Sequence, residues 1–203
     1  MKVLIVSLTL AILSCTSFTT LAASKPDISW SYVSAGYAKA NISNMVSKDF
    51  KPDGYQVNGS FLFSESIYLA ASYTELSGSI PFDDILGMSL DLSEFSARIG
   101  MRQAATENID AFFEGGYIRS TAGVSGFRDE NSDGFQAGAG FRYRVAPRVE
   151  LGAAIRYYNA DSSSTTFADL SARVKLTDMF DLYANYMFES DTKLLSTGVV
   201  LNF

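Results

Sequence analysis

The stretch that decides the fold runs from Asp133 to Arg144 and reads DGFQAGAGFRYR. The apolar positions are Phe135, Ala137, Ala139, Phe141 and Tyr143, and the positions between them are Gln136, Gly138, Gly140, Arg142 and Arg144. A side-chain period of two is that of a β-strand, because successive side chains point to opposite faces of a sheet. The stretch therefore predicts a strand with one apolar face and one face of polar and very small residues.

The same alternation continues through nearly every segment after residue 23, for example over 149–157 and 182–188. The block Asp53-Gly54-Tyr55-Gln56 also recurs as Asp133-Gly134-Phe135-Gln136. The repeated unit is a hairpin with a tight turn, joined to the next hairpin by a longer link. Sequential antiparallel strands pair most easily with each other, so the repeats predict a meander.

Turn-forming residues divide the chain into about ten strands. We expect them near 28–40, 54–64, 66–77, 89–103, 108–120, 134–145, 148–160, 166–177, 181–190 and 193–203. Short turns fall near 65, 105, 147 and 178, and the polar links between them fall near 41–53, 78–88, 121–133, 161–165 and 190–193. Short turns at one end and longer loops at the other are typical of a transmembrane antiparallel up-and-down (meander) β-barrel. An all-β barrel of eight strands is the alternative, and it requires two of these segments to be loops.

Alternation alone does not say which face is outside, because a soluble barrel also has one apolar face. From the fourth strand onward the mid-strand charges share the face opposite the aromatic residues. They are Glu94, Arg98, Arg102, Asp110, Glu114, Arg142, Arg144, Glu150, Arg156, Asp169, Arg173, Lys175, Asp181 and Glu189. Lys39, Glu75, Asp91 and Arg119 share the apolar face but fall near strand ends. An Arg or Lys facing lipid at mid-depth costs roughly 2–4 kcal/mol, which favours the polar face inside.

Residue size supports the same orientation. The polar face carries small residues that suit a narrow interior: Ser96, Gly100, Gly116, Gly138, Gly140, Gly152, Ser171, Ser196 and Gly198. The apolar face carries aromatic residues near strand ends, where they predict an interfacial girdle: Tyr37, Tyr55, Phe63, Tyr73, Tyr117, Phe135, Tyr143, Tyr157, Phe167 and Phe188.

The first 23 residues predict a secretory signal peptide. A basic start is followed by the apolar run Val3 to Leu13 and by small residues that lead to a cleavage site after Ala23. We therefore assign 1–23 to the signal and 24–203 to the barrel domain. The single cysteine, Cys15, lies in the signal; the alternative of a lipid-acylation site there has a poorly fitting Leu13. After cleavage no thiol or disulfide chemistry remains.

The last strand alternates up to the aromatic terminal residue Phe203. With the opening Tyr32-Val33-x-x-Gly36-Tyr37 and the Asp-Gly-aromatic blocks at 53–63 and 133–143, the chain resembles the small bacterial outer-membrane β-barrels of the OmpX/Ail-like and porin-like kind. The resemblance implies export to the outer membrane of a Gram-negative cell, residence in its lipid, and engagement of the barrel-assembly machinery through the strand that ends at Phe203. The best-known small members have eight strands, whereas ten are counted here.

The composition argues against several chemistries. The formal net charge is −6, with 22 acidic and 16 basic residues, so a nucleic-acid partner is not expected. Histidine is absent from the sequence, which removes the commonest general base and metal ligand. Asp110 and Glu114 lie four apart on one strand face, but they stand among Arg98, Arg102, Arg142 and Arg156, so ion pairing is expected instead of catalysis. We predict no enzyme, no catalytic residue and no cofactor.

The segment Asp129 to Gly134 matches the front half of a calcium loop. The back half requires a glutamate at the twelfth position, which is Gly140. An Asp-Gly turn that enters a strand is therefore favoured, with a weak surface calcium site as the alternative, and no metal ligand is assigned.

The lumen charges comprise seven acids and seven bases. A selective pore would favour one sign, whereas a balanced set indicates a self-neutralising network in a narrow or plugged lumen. The sequence thus predicts a non-catalytic outer-membrane barrel with its surface loops as the interaction region, although it identifies no surface partner. The charged loop residues are Lys48, Asp49, Lys51, Asp83, Asp84, Arg128, Asp129 and Glu130. The alternatives are a narrow porin-like channel for small solutes or ions, and a secreted soluble barrel carrying an apolar ligand.

Overall fold

A computed structural model of the chain describes residues 28–45, 48–80, 88–124, 127–161 and 163–203. The predicted signal peptide with Cys15 and the loop residues Asp83 and Asp84 lie outside these ranges. The described residues form β-strands joined by turns. Within those ranges no helix is long and apolar enough to cross a membrane.

The strands follow one another along the chain in antiparallel order. They are β1 Tyr32–Met45, β2 Lys48–Phe50, β3 Asp53–Leu62, β4 Ile67–Ile80, β5 Met88–Ala104, β6 Ile109–Val124, β7 Glu130–Ala146, β8 Val149–Ala160, β9 Ser163–Lys175, β10 Phe180–Phe188 and β11 Thr192–Asn202. Each long strand pairs with the next one. β1 also pairs with β11, from Tyr32 opposite Asn202 to Ile42 opposite Thr192, and this ladder closes the barrel.

The short strand β2 does not count as an eleventh strand of the barrel wall. β3 pairs with β1 as far as Lys39 opposite Asp53, and β2 resumes the pairing on the same side of β1 at Ile42 opposite Phe50. The break falls at Pro52, which has no N–H to give to a ladder. The closed barrel therefore has ten strands, as predicted, and the eight-strand alternative is wrong.

Several predicted boundaries are wrong at the loop end. β1 continues to Met45, β6 to Val124, β7 begins at Glu130 and β9 at Ser163, so the predicted links at 41–53, 121–133 and 161–165 are largely strand. Backbone hydrogen bonds maintain the ladder where no lipid or core imposes an apolar face. The alternation therefore fades before the strand ends.

The short turns, Ile28 at the start of the described residues and Phe203 lie together at one end of the barrel. Backbone hydrogen bonds across each turn close it. One example is the bond that the Phe63 amide donates to the Ile67 carbonyl at 2.8 Å. The Phe203 amide donates to the Ser31 carbonyl at 3.2 Å at the same end. We call this the short-turn end and the opposite one the loop end.

The two faces lie as predicted. On β6, Asp110 faces the interior with no exposed surface, whereas Phe113 faces outward with 68% of its surface exposed. Other outward residues include Phe61, Ile99, Phe141, Leu151, Ile155 and Val199. The secreted soluble barrel requires the opposite arrangement, so that alternative is wrong.

The outward charges and aromatic residues occupy the expected band. The register places Tyr37 opposite Tyr55, in a row of aromatic residues towards the loop end. Glu75 accepts hydrogen bonds from the Tyr55 and Tyr73 hydroxyls at 2.6 and 2.8 Å. This outward carboxylate is therefore held by girdle tyrosines near the edge of the apolar band, where an interface would lie.

Phe167 departs from the predicted girdle. It pairs with Arg156 in the β8–β9 ladder and faces the lumen, where its ring lies 5.4 Å from that of Tyr158 with an interplanar angle of 84°. Phe167 shares its strand parity with Asp169 and Arg173. The strand parity of Phe167 correctly indicates that it faces the lumen, whereas its aromatic character suggested the outer face.

Candidate functional site: the barrel lumen

The lumen contains three layers along its axis. An aromatic plug lies at the short-turn end, an ion-pair layer crosses the middle, and a cavity with apolar walls lies at the loop end. The predicted polar interior is confirmed in the middle layer and around the plug, whereas the plug itself and much of the cavity wall are apolar. The sequence analysis missed the plug and the cavity.

The aromatic plug is built from Ile28, Trp30, Tyr68 and Phe112. Trp30 is only 5% exposed, and its ring centroid lies 4.6 Å from that of Tyr68 and 5.7 Å from that of Phe112. Its indole Nε1 donates to Asp110 Oδ2 at 2.7 Å. The residues just before β1 thus fold into the barrel mouth and pack against its inner wall.

Two guanidinium groups also lie close to the Trp30 ring. Arg142 places its Cζ 4.6 Å from the centre of the Trp30 ring, within the range of a cation–π interaction. Arg102 lies 6.0 Å from that ring, and its Nη1 lies 2.8 Å from Asp110 Oδ2. Arg142 is itself paired with Glu150, with 2.6 Å between Nε and Oε1. Trp30 is therefore fixed by rings, a carboxylate and two cations.

The prediction that the first strand starts at residue 28 is wrong, because β1 begins at Tyr32. Ile28 and Trp30 continue the inward parity of β1, so alternation could not separate them from the strand. Two large apolar residues on a face that is otherwise polar and small were the available signal for a plug.

The ion-pair layer is centred on Glu114. Its carboxylate pairs with Arg156, lies 3.8 Å from Arg98 Nε and accepts a hydrogen bond from the Tyr68 hydroxyl at 2.9 Å. Arg156 also places its Nε 2.6 Å from Asp169 Oδ2, and Asp169 accepts a hydrogen bond from the Asn185 amide. The predicted ion pairing of Asp110 and Glu114 is confirmed.

Small residues make room for these long side chains. Gly100 lies against the Tyr68 ring, and a methyl group added there would overlap the ring. Gly138 lies beneath Glu114, where an added Cβ would be 3.4 Å from the Glu114 Cγ. The space left in the middle of the lumen is about 170 Å³. The predicted small-residue face is thus complemented by charged groups from across the barrel.

The lumen charges are balanced in number but graded along the axis. Towards the short-turn end lie Arg102, Arg142, Arg144, Arg173 and Lys175 with only Asp110, Glu150 and Asp181. The middle layer holds Glu94, Glu114 and Asp169 with only Arg98 and Arg156. The short-turn end is therefore net basic and the middle net acidic, a separation that a count along the sequence does not reveal.

The cavity at the loop end has a volume of about 600 Å³. Its apolar wall comprises Ala40, Ile42, Leu76, Leu92, Ala122, Ala160, Phe167, Met187 and Leu194. Thr74, Ser120 and Ser132 add hydroxyl groups, and Glu94 lines it next to the ion-pair layer. Beside it, β2 brings Phe50, which is 1% exposed, into contact with Leu90.

The predicted turn at Asp133-Gly134 is wrong, because Glu130 to Gly134 belong to β7. Asp133 lies opposite Arg119 on the outer face, 3.9 Å from its Nε, and accepts a hydrogen bond from the Tyr117 hydroxyl. A ladder strand cannot also wrap a cation as a calcium loop does. Over the described ranges, no group of three or more acidic, Cys or His residues is placed to hold a metal ion.

Some of the predicted loop charges also belong to strands. Lys48 and Asp49 lie in β2 and Glu130 in β7, whereas Lys51, Arg128 and Asp129 lie between strands. All of them belong to the loop end. The charged surface predicted from the sequence is therefore partly a strand rim.

A closed ten-stranded barrel with an apolar outer face and a charged interior defines a transmembrane β-barrel. The family model described as "Outer membrane protein beta-barrel domain" matches residues 8–192. The chain belongs to this family, and it is a protein of the Gram-negative outer membrane. A comparison with curated proteins finds no match.

The chain is also similar to several solved structures. Ail, the attachment invasion locus protein of Yersinia pestis, is 17% identical over 84% of this chain and 97% of its own, with a TM-score of 0.47. Neisserial surface protein A is 19% identical over 85% and 96%, with a TM-score of 0.45. OprG from Pseudomonas aeruginosa is 9% identical over 88% and 98%, with a TM-score of 0.50. At these identities the similarity concerns the fold alone.

Proposed function

We propose that this chain is a non-catalytic outer-membrane barrel whose lumen is closed at the short-turn end and which acts through its loop end. The observation that carries the proposal is the position of Trp30. It lies inside the barrel mouth, bonded to Asp110 and covered by Arg142. A segment held in this way blocks the axis instead of lining an open pore.

The ion-pair layer supports closure as a second barrier in series. Arg156 bridges Glu114 and Asp169, and Arg98 adds a second cation beside Glu114. Paired charges in a narrow interior are expensive to separate, because each group left alone would be poorly solvated. A solute would have to disrupt this layer even if the plug moved aside.

We also propose that 1–23 is a cleaved signal peptide, that 24–203 is the barrel domain and that the assembly machinery engages the last strand. Phe203 directly follows that strand with 67% of its surface exposed, and it continues the outward parity of Val199 and Leu201. The absence of catalysis belongs to the same proposal. The two carboxylates that stand closest on one strand face, Asp110 and Glu114, are each engaged by guanidinium groups.

Planar-bilayer recording tests the closure. Refolded protein, whose folding is checked by a heat-modifiable gel band, should give no steady conductance steps. The double variant Trp30→Ala with Arg156→Ala should give small steps, because it removes both barriers. The control Phe63→Ala with Arg119→Ala removes an aromatic residue and a cation from the outer face and should stay silent. Steady, reproducible steps from the unmodified protein would overturn the proposal in favour of a narrow channel.

A further inference from the structure

The loop-end cavity has the size and composition of a small-molecule site. Its volume of about 600 Å³ lies within the roughly 300–1,000 Å³ that ligand pockets usually have. Leu76, Leu92, Met187 and Leu194 form an apolar wall, and several serine and threonine residues also line the cavity. Apolar walls with few polar groups are what small-molecule sites usually present.

The charges that line this cavity have a single sign. They are Glu94 next to the ion-pair layer, and Glu130 and Asp161 towards the loop end. Lysine and arginine are absent from its described lining. An apolar body would fit the walls, and a cation would complement the charges.

Glu94 is the carboxylate in this cavity that would bind the positively charged group of a ligand. Among the described residues it has neither a hydrogen bond nor an ion pair, although Arg98 and Arg156 act on it through their charge. Arg156 is already bound by Glu114 and Asp169, and Arg98 lies beside Glu114. Three carboxylates thus share two guanidinium groups, and one negative charge is left without a partner at the edge of the cavity.

We propose that the loop-end cavity binds a small amphipathic amine cation, with its ammonium group at Glu94 and its apolar body against Leu76, Met187 and Leu194. The ammonium group supplies the positive charge that the middle layer lacks. The apolar body fills space that the side chains leave open. The site requires only the folded barrel, so it stands or falls independently of whether the lumen conducts.

Three probes with the same apolar body but different heads test the proposal: octylammonium, octanol and octanoate. The chain has six methionines, and Met187 lines the cavity while Met101 faces outward with 62% of its surface exposed. Methyl-labelled methionine in the refolded barrel therefore reports the site and non-specific partition in one spectrum. The Met187→Leu variant assigns the signal.

We expect octylammonium to shift the Met187 methyl signal in a saturable way, at a concentration about tenfold lower than octanol, because hydrogen bonds to charged groups are the stronger ones. Octanoate should bind more weakly than octanol. Glu94→Gln should abolish the preference for octylammonium, whereas Glu75→Gln, a control on the outer face, should keep it. Ser132→Phe should weaken all three probes, because it fills the cavity.

Three results would overturn the proposal. In the first, the Met187 methyl signal stays unmoved while the Met101 methyl signal shifts, which means partition into detergent only. A second is equal binding of octanoate and octylammonium, and a third is a preference for octylammonium that survives Glu94→Gln. Only variants that give the heat-modifiable band of a folded barrel are compared, so that a misfolded barrel cannot produce these results.

Discussion

The two halves of the lumen use the same ten strands in different ways. In the short-turn half, Trp30 is enclosed by Tyr68 and Phe112, and every guanidinium group around it contacts a ring or a carboxylate. In the loop-end half, apolar residues line an unfilled cavity of about 600 Å³. The rings of the first half are packed against one another, with a smaller space of about 370 Å³ beside them near Ser29 and Asp181, whereas the second half holds the larger cavity.

This difference indicates that the short-turn half stabilises the barrel, whereas the loop-end half is available for recognition. Interlocked charges and rings resist change, because each group depends on several neighbours. A cavity contributes little to folding, but it leaves room for a ligand. We therefore expect substitutions in the short-turn half to affect stability and those at the loop end to affect binding.

The largest expected effect comes from breaking the ion-pair layer. Arg156→Met leaves Glu114 and Asp169 without their shared cation and should lower the free energy of unfolding by about 3–5 kcal/mol. Urea unfolding in lipid vesicles, followed by the emission of Trp30, measures the change. Arg119→Met removes a half-exposed cation beside Asp133 and should cost less than about 1 kcal/mol. Equal losses in the two variants would contradict the layered account.

Removing the plug should have the next largest effect. Trp30→Ala takes away two ring contacts and one hydrogen bond to Asp110, and we expect a loss of about 3 kcal/mol. The temperature at which the heat-modifiable band shifts reports it without needing the tryptophan. Phe63→Ala, at an outward residue with 70% of its surface exposed, serves as the control. An unchanged transition for Trp30→Ala would mean that the segment does not pack in the barrel.

A methyl group added at Gly100 should give a smaller loss. It overlaps the Tyr68 ring and must displace the Tyr68 hydroxyl from Glu114, at a cost of about 2 kcal/mol. Gly115 is the matched control, because its nearest neighbour to an added Cβ is 3.6 Å away. Gly115→Ala should change stability by less than about 0.5 kcal/mol. The two variants, compared by urea unfolding, separate a packed lumen from a loosely filled one.

The smallest effect is expected at the wall of the cavity. Leu76→Ala enlarges a space that already exists, so we expect a loss of about 1 kcal/mol, below the roughly 2–5 kcal/mol usual in closed cores. Phe112→Ala in the plug provides the comparison and should cost about 3 kcal/mol or more. Similar losses at the two positions would mean that the two halves are equally packed.

The sequence predicted the wall of the barrel well, because lipid and a narrow interior impose the period of two. Faces, strand number and the class of lumen groups were correct on that basis. The sequence could not predict which lumen side chains contact one another. Arg156 on β8 reaches Glu114 on β6 across an intervening strand, and that contact depends on curvature and register instead of spacing.

The residues that the sequence analysis misplaced share a physical cause. Trp30 follows strand parity without being in a strand, and Phe167 is apolar on a polar face. Alternation reports which side a residue faces, but not what it packs against once it is inside. The plug and the cavity both arise from apolar residues on the inward side, where the pattern predicts polar ones.

The burial of Trp30 is the most direct test of the closed short-turn half. It is the only tryptophan of the chain, so its emission needs no assignment. In the refolded barrel, acrylamide and iodide should quench it only weakly, and unfolding in urea should make it fully accessible. Strong quenching in the folded protein, close to that of free indole, would contradict the plug and the closed lumen that depends on it.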